Sequence, residues 1–494
     1  MNLSDAIYKN SIRRSDFPAI VEPDGTYLSY MEYELAVQNW AILLQKVGVK
    51  NGDIIGVNLK DTSDHLIALF AVPRSGSVIL PFDWRWTDDE KRRLANFFRP
   101  KAILSEPDDT FLEVDGFWKH IAVDANWKNS LGKIDAGKQF SSSTNPNLLL
   151  ALSSGTTGTP RGPMITHQQF LARFLIYFIS LSFSERDRYL CATPLYFGGC
   201  RGYCMCTLFS GGTVLLYPPP YDVDSLVSFA NKYSATRCFL VPTLLRRLMC
   251  IEGGSSENPV FKTLELLFST GAALHAEERA ELMDRFCKHY INFYGSTDGG
   301  GCTTLGWDDP ASVANSVGKP VFGAELQIID PSNNLLPSGR IGRIRYKHPG
   351  TANCYYNDPE ASAKTFVDGW YLPGDLGWVN EDGYLFIAGR ESDMIIRGGA
   401  NIYPSEIEHT LMNNEKVLES AVVGIPSREF GEEIIAFIIL KDEKNKIDSK
   451  ELVKFCQKHL APYKIPKEFY FLKALPKSGV GKVLKKELEK LRPK

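Results

Sequence analysis

Leu148-Leu149-Leu150-Ala151-Leu152-Ser153-Ser154-Gly155-Thr156-Thr157-Gly158-Thr159-Pro160-Arg161-Gly162-Pro163-Met164-Ile165-Thr166-His167 decides how the chain is read. Its five leading apolar residues predict a short buried strand, which runs straight into small, hydroxylated and conformationally permissive residues. Glycines let backbone N–H groups approach a ligand, Ser and Thr add rotatable donors, and Arg161 brings a permanent positive charge. Together they predict a cradle for a polyanion such as a triphosphate. Runs of this composition are commonly flexible surface loops. Here the preceding strand, the basic residue after Pro160 and the lack of acids from Ser153 to His167 favour the cradle. The segment lacks the Gly-Lys-Ser/Thr ending of a P-loop, and no Gly-x-Gly-x-x-Gly follows a strand, so P-loop and dinucleotide folds are disfavoured.

Working outward, residues 1–145 alternate helical and strand-like stretches, which predicts parallel sheet covered by helices. Tyr30 to Leu44 reads as a helix and Asp53 to Leu59 as a strand. Thr87-Asp-Asp-Glu opens a further helix with a capping box, after a loop Asp83-Trp84-Arg85-Trp86. Beyond the central loop, strands are predicted at Arg188–Thr193, Gly211–Tyr217, Cys238–Leu244, Leu264–Thr270 and Tyr290–Tyr294. Ligands of open parallel sheets bind at the carboxyl ends of strands, so the ends at Gly271-Ala272-Ala273 and Gly295–Asp298 and the 153–162 loop are expected to share a crevice. The last hundred residues form a compact α/β pattern: helices Pro404–Asn414 and one capped by Asp448, strands Glu419–Ile425, Glu433–Leu440 and Glu468–Leu472, and a basic terminal helix.

Composition bounds the function. The 494 residues suffice for two or more domains, with 44% apolar and 23% charged residues. A net charge of −2 gives no electrostatic case for nucleic acid or an anionic membrane. No apolar run has the length of a spanning helix or a signal-peptide core, which predicts a cytoplasmic protein without integral membrane contact. Ten cysteines imply no disulfide framework. Cys200, Cys204 and Cys206 lack a Cys-x-x-Cys pair or a nearby His and are expected to be buried thiols.

Ser153 to Gly162 resembles the signature of the adenylate-forming acyl-CoA synthetases, the superfamily that includes luciferases and adenylation domains, and motifs across roughly residues 1–490 follow that family's order. The resemblance implies an α/β protein with a large multi-sheet domain, 1–390, made of parallel sheets with helices plus a small distorted β-barrel. A small α+β lid domain, 391–494, would turn about a hinge at Ser392. It further implies that Ser153, Ser154, Gly155, Thr156, Thr157 and Gly158 with Arg161 hold ATP phosphates, that Gly271, Ala272 and Ala273 wall the adenine, and that Asn292, Phe293, Tyr294 and Gly295 stack on or contact it. Thr297 would touch the α-phosphate, and Asp298 would help hold Mg²⁺ where the family usually has Glu. Asp375 would accept the ribose hydroxyls beside Arg390, Lys482 would be the catalytic lysine, and Gly398 and Gly399 would lie along the pantetheine of coenzyme A. Outside the resemblance, Gly271-Ala272-Ala273 and Gly398-Gly399 read as turns, Asp375 as a turn residue and Lys482 as surface charge.

Such a protein would adenylate a carboxylic acid and pass the acyl group to coenzyme A. Tyr196, Phe197, Gly198 and Gly199 are the expected substrate pocket, and Gly299-Gly300-Gly301 also removes side chains where substrate could lie. Phe197 stands where amino-acid-activating relatives have an Asp for the ammonium and many acyl-CoA synthetases a His, which favours an apolar or aryl acid. A ligase that loads a separate carrier protein and a low-turnover acyl-adenylate sensor are the alternatives. Retention of Lys482, Asp375 and Arg390 weighs against the sensor.

Overall fold

A computed structural model of the chain describes residues 2–109, 117–129, 145–152, 161–271, 274, 276–442, 447–477 and 483–491. The chain packs as two units: Met1–Ala314 with Gly318–Glu325 and Tyr346–Tyr371, and Asn315–Val317 with Leu326–Arg345 and Leu372–Lys494.

The first unit is built on two sheets. In the larger, the strands Pro18–Val21, Thr213–Leu216, Arg188–Cys191, Arg237–Phe239, Leu266–Ser269 and Tyr290–Ser296 lie side by side and parallel. Antiparallel strands flank them at Tyr27–Ser29 and Gly300–Leu305. The inner strands are apolar on both faces, as parallel strands covered by helices must be. Tyr203, Phe239 and Phe268 pack on one side; Leu215, Leu226, Leu245 and Leu267 pack on the other. The second sheet runs Lys119–Ala122, Ala102–Ser105, Ile54–Asn58, Val78–Pro81, Asn147–Leu150, Met164–Thr166, parallel except for its last strand. Asn147–Leu150 is the strand predicted before the central loop, and Met164–Thr166 returns beside it.

Local signals set the helix starts. Ser29 and Glu32 form a reciprocal capping box on the helix Tyr30–Lys46, Thr87 and Glu90 do so on Asp88–Phe98, and Thr166 and Gln169 on His167–Ser180. The strand expected at Cys238–Leu244 is shorter: it ends at Phe239, and Pro242 opens the helix Pro242–Met249. Proline at the first helical position lacks only an N–H that the helix would leave unpaired.

In the second unit, Val417–Ser427 and Gly431–Leu440 form a hairpin with Glu468–Phe471 parallel to the second arm. Ile395–Arg397 and Ala400–Ile402 form a smaller hairpin that continues the sheet. Ile407 and Leu411 of the helix Pro404–Met412, with Leu452 and Cys456 of Ser449–His459, fill the core of this sheet. Antiparallel strands Asp375–Val379 and Leu385–Arg390 belong to the same unit. Packing thus groups residues 372–390 with the C-terminal residues.

Cys200, Cys204 and Cys206 are fully buried. Sequence spacing did not show that Cys191, at the end of its strand, meets Cys200 and Cys204, with the three sulfurs within 4.8 Å of one another. The i, i+4 spacing puts Cys200 and Cys204 on one helix face.

A buried ion pair ties the N-terminal helices together. Arg74 Nη1 lies 2.8 Å and Nη2 3.1 Å from the two carboxylate oxygens of Glu34, and Nε donates to Ser4 Oγ at 2.9 Å. With the side chains 2% and 6% exposed, removing either partner strands a charge away from water. Arg74→Met is expected to lower unfolding free energy by about 3–5 kcal/mol, and Arg74→Met/Glu34→Leu by clearly less. Urea unfolding of both variants checks this; equal losses would mean that the charge left behind is not what costs.

Candidate active site

The strands Leu266–Ser269 and Tyr290–Ser296 run parallel with Ser269 opposite Asn292, so their carboxyl ends emerge together. Gly271 follows the first with φ +97°, a conformation suited to glycine, and is exposed. Ala272 and Ala273 lie outside the described residues, as do Ser153, Ser154, Gly155, Thr156, Thr157, Gly158 and Lys482. Strand alternation divides the Asn292–Tyr294 segment. Phe293 turns into the core, 6% exposed, with its ring 6.3 Å from that of Tyr177. It is therefore not an adenine-stacking residue; Asn292 and Tyr294, two apart, share the other face.

After the second strand, Thr297 and Asp298 are held through their backbone. Arg173, from the helix that follows the central loop, donates from Nη1 to Thr297 O at 2.9 Å, from Nη2 to Asp298 O at 3.2 Å and from Nε to Gly350 O at 2.8 Å. The same helix donates from Gln169 Nε2 to Thr351 O at 2.7 Å. Ala352 N donates to Asp298 O at 2.9 Å, and Thr351 Oγ1 to Gly299 O at 3.0 Å. A buried guanidinium thus staples residues 297–299 to 350–352.

Asp298 is 6% exposed, and its Oδ2 accepts from Tyr355 Oη at 2.6 Å. Burial, and next the Asp298 charge, push the Tyr355 phenol well above its usual range, so it stays protonated and donates. Arg161 lies over the same ring, 5.7 Å from its centroid, and Pro163 bridges to Tyr355. Loop cation, phenol and carboxylate form one contiguous group. A hard carboxylate beside a hydroxyl suits Mg²⁺, which takes few protein ligands and fills its octahedron with water and phosphate oxygens.

Of the expected substrate residues, Phe197 stacks on Phe239 at 6.1 Å and 11°, and Tyr196 meets Trp86 at 5.8 Å with Arg85 over its ring at 5.4 Å. The Asp83–Trp86 loop, read only as a lead-in to a helix, is therefore part of this wall. Asp61 Oδ1 accepts from Leu195 N at 2.6 Å and fixes the bend. Gly198 opens toward Thr297: a β-carbon there would lie 3.5 Å from Thr297 Oγ1. One at Gly199 would lie 3.2 Å from the Phe197 ring. Gly299 and Gly301 do not open substrate space, because side chains there would collide with Tyr346 and Tyr371 and with Phe293; these glycines admit core aromatics.

In the second unit, Asp375 and Arg390 are opposite one another on adjacent strands, with Arg390 Nε 2.8 Å from Asp375 Oδ1. Arg390 Nη1 also donates to Pro373 O at 2.8 Å. Ser392 is exposed in a short 3₁₀ turn, and its hydroxyl donates to Asp393 Oδ1 at 2.9 Å. Gly398 and Gly399 have φ +58° and +82° and form the two-residue turn of the hairpin joining Ile395–Arg397 to Ala400–Ile402.

Arg173, Tyr355 and Asp61 were not singled out from sequence. Arg173 had a signal, being the only Lys, Arg, Asp or Glu in the aromatic-rich stretch 167–180. Tyr355 had none, since only the fold sets it against Asp298.

The profile of the AMP-binding enzyme family matches residues 8–356, and that of the AMP-binding enzyme C-terminal domain matches residues 406–482. Feruloyl-CoA synthase of an Amycolatopsis species is 30% identical, the alignment covering 97% of this chain and 96% of that protein. Indoleacetate–CoA ligase of Aromatoleum aromaticum is 30% identical over 99% of this chain and 98% of its own. ATP-bound MatB of Rhodopseudomonas palustris superposes with a TM-score of 0.89 at 27% identity, covering 99% of each chain. The chain belongs to the AMP-binding enzyme family, the adenylate-forming acid–thiol ligases. Among its described residues no helix is long and apolar enough to cross a membrane.

Two measurements test the staple. Arg173→Met should lower kcat for adenylation by about 10²-fold through misplacement of Thr297, and a wild-type kcat would remove the role. The second uses His348, whose Nδ1 accepts from Gly350 N at 2.8 Å. Burial, with Arg173 adding repulsion, lowers its pKa from 6.5 to about 4. Its contribution is full above pH 6.5 and is lost as pH falls toward 4. His348→Asn should show a shallower fall of Tm over that window; identical slopes would exclude the histidine.

Proposed function

We propose that the protein activates an apolar or aryl carboxylic acid with ATP and transfers the acyl group to coenzyme A. A carboxylate oxygen attacks the α-phosphorus, the bond to the β-phosphate oxygen breaks, and pyrophosphate leaves. The coenzyme A thiol then attacks the acyl carbon, losing its proton as AMP departs. The observation that carries this reading is the group formed by Arg161, Tyr355, Asp298 and Thr297 at the carboxyl ends of the parallel strands. Relatives at 30% identity are named for feruloyl and indoleacetate, both aryl-bearing acids, which supports the same substrate class. The aromatic wall of Tyr196, Phe197 and Phe239 suits such a group, and Phe197 itself offers no partner to an ammonium. The relatives' names favour coenzyme A over a carrier protein.

Attack of one anion on another makes catalysis chiefly electrostatic and positional. Arg161 and the hydroxyl loop hold the outer phosphates. Asp298, with Thr297 adjacent, would hold Mg²⁺, which would supply charge neutralisation. Asp375, oriented by Arg390, accepts the ribose hydroxyls. The pivot at Ser392, dividing the chain near residue 390, alternates Lys482 with the Gly398-Gly399 turn at the reaction centre. A cytoplasmic location, with its ATP and coenzyme A, fits these substrates.

Exchange of labelled pyrophosphate into ATP, screened over carboxylic acids, tests the function directly; no acid-dependent exchange would refute it. Alternation predicts opposite defects. Lys482→Ala should lose adenylation by about 10²–10³-fold yet still convert supplied acyl-adenylate to acyl-CoA. Gly399→Leu should slow thiol attack and spare pyrophosphate release. Equal damage to both steps in each variant would argue for one fixed site. Asp298→Asn should shift the Mg²⁺ dependence of the initial rate to higher concentration, and Asp298→Glu should be tolerated. Superimposable titrations would place Asp298 away from the metal.

A further inference from the structure

The helix Gly198–Ser210 begins beside Thr297 with its amino end open. Its N-cap, Phe197, has no side chain able to cap, and the first turn contains no acid. The N–H groups there leave partial positive charge uncompensated. One turn in, Arg201 adds a full charge at the same end, where a helix dipole disfavours it.

Arg201 is 2% exposed, and among the described residues it makes no ion pair. Nη1 donates to Tyr196 O at 2.7 Å and reaches Leu195 O at 3.5 Å, while Nε has no hydrogen-bond partner. Burial lowers its pKa to about 10, so it remains cationic at neutral pH. The adjacent Cys200 acts against that shift, while the like-charged Arg173 guanidinium adds to it. A buried, unpaired guanidinium is among the costlier things a core can hold. The remaining nitrogen shows where compensation enters: a β-carbon at Gly198 would lie 3.8 Å from Arg201 Nη2 and 3.5 Å from Thr297 Oγ1. The space that glycine vacates is bordered by a guanidinium, a hydroxyl and an open helix end, three groups that complement an anion.

We infer that Arg201, with the amino end of its helix, binds the carboxylate of the acyl substrate and presents it beside Thr297. This rests on the adenylation reading, since that reaction requires a carboxylate next to the group that touches the α-phosphate. It also sharpens specificity. A cation fixed at the carboxylate disfavours a second positive charge on the adjacent carbon, so Arg201 excludes α-amino acids by repulsion as Phe197 does by lack of a partner. The cation sits one turn along the helix from Phe197, at i+4, on the same face.

The test uses an acid that supports pyrophosphate exchange in the wild type. Arg201→Met should raise the KM for that acid by about tenfold or more, the loss of a charge-assisted hydrogen bond, with the KM for ATP nearly unchanged. Arg201→Lys should recover part of the loss. Gly198→Ala retains the guanidinium but fills the vacated space at ordinary contact distances, and should raise the same KM without lowering Tm. A purely structural Arg201 would instead lower Tm and kcat and leave the Gly198→Ala enzyme normal, overturning the inference. Unchanged KM for the acid in Arg201→Met and Gly198→Ala would also overturn it while leaving the adenylation reading intact. Absence of exchange in the wild type with every acid would refute the adenylation reading, and this inference with it.

Discussion

The hydrogen bonds from Arg173 to the carbonyl oxygens of Thr297, Asp298 and Gly350 are the constraint on which the site depends. Parallel strands deliver their carboxyl ends to one edge of a sheet, but the residues 297–299 that turn from Tyr290–Ser296 into Gly300–Leu305 lie outside the ladder those two strands form. A planar guanidinium with five donors answers that need better than a chain of single hydrogen bonds, because one rigid group fixes several acceptors at once. The helix bearing it starts at the end of the proposed phosphate loop, capped by Thr166 and Gln169. Residues 161–166, which lead into that helix, and the Thr297–Asp298 turn are thereby joined through a single element.

Charge is handled locally throughout. The chain as a whole is nearly neutral. Its buried cations are nevertheless each placed against something specific: Arg74 against a carboxylate, Arg173 against carbonyls, and Arg201 against two carbonyls and a vacated space. Of these three, Arg74 forms an ordinary buried ion pair, as Arg237 does with Asp187 elsewhere. The other two project positive potential toward the end of the sheet where an anionic reaction would run, inside apolar surroundings that weaken screening. The aromatic wall at Tyr196 and Phe197 helps to create those surroundings.

Much of this was legible in the residues. The apolar run before the central loop, the capping box at Thr87 and the strands at 188, 213, 266 and 290 are local patterns, and local patterns survive folding. Arg390 and Asp375 meet across adjacent strands, where the single turn of the hairpin at residues 380–384 sets their register. What escaped was decided by long-range packing. Phe293 looks like an aromatic at a site until strand alternation turns it inward. Gly299 and Gly301 look like room for a ligand until Tyr346, Tyr371 and Phe293 occupy that room. Cys191 joins Cys200 and Cys204 because a strand end and a helix face meet, which spacing cannot announce. Arg201 was passed over because one arginine in a helix is ordinary until its burial is known.

The Arg173 staple takes hold of main-chain oxygens, and main-chain oxygens are the same whatever side chain they accompany. Residues 297 and 298 can therefore be varied without removing the oxygens that Arg173 holds, whereas a side chain at Gly350 would press on Arg173 itself. For anyone recasting this catalyst, the turn is a mount with interchangeable tips: combinatorial libraries at 297 and 298 should sample new chemistry on an unchanged frame. Randomising position 173 would loosen every tip together.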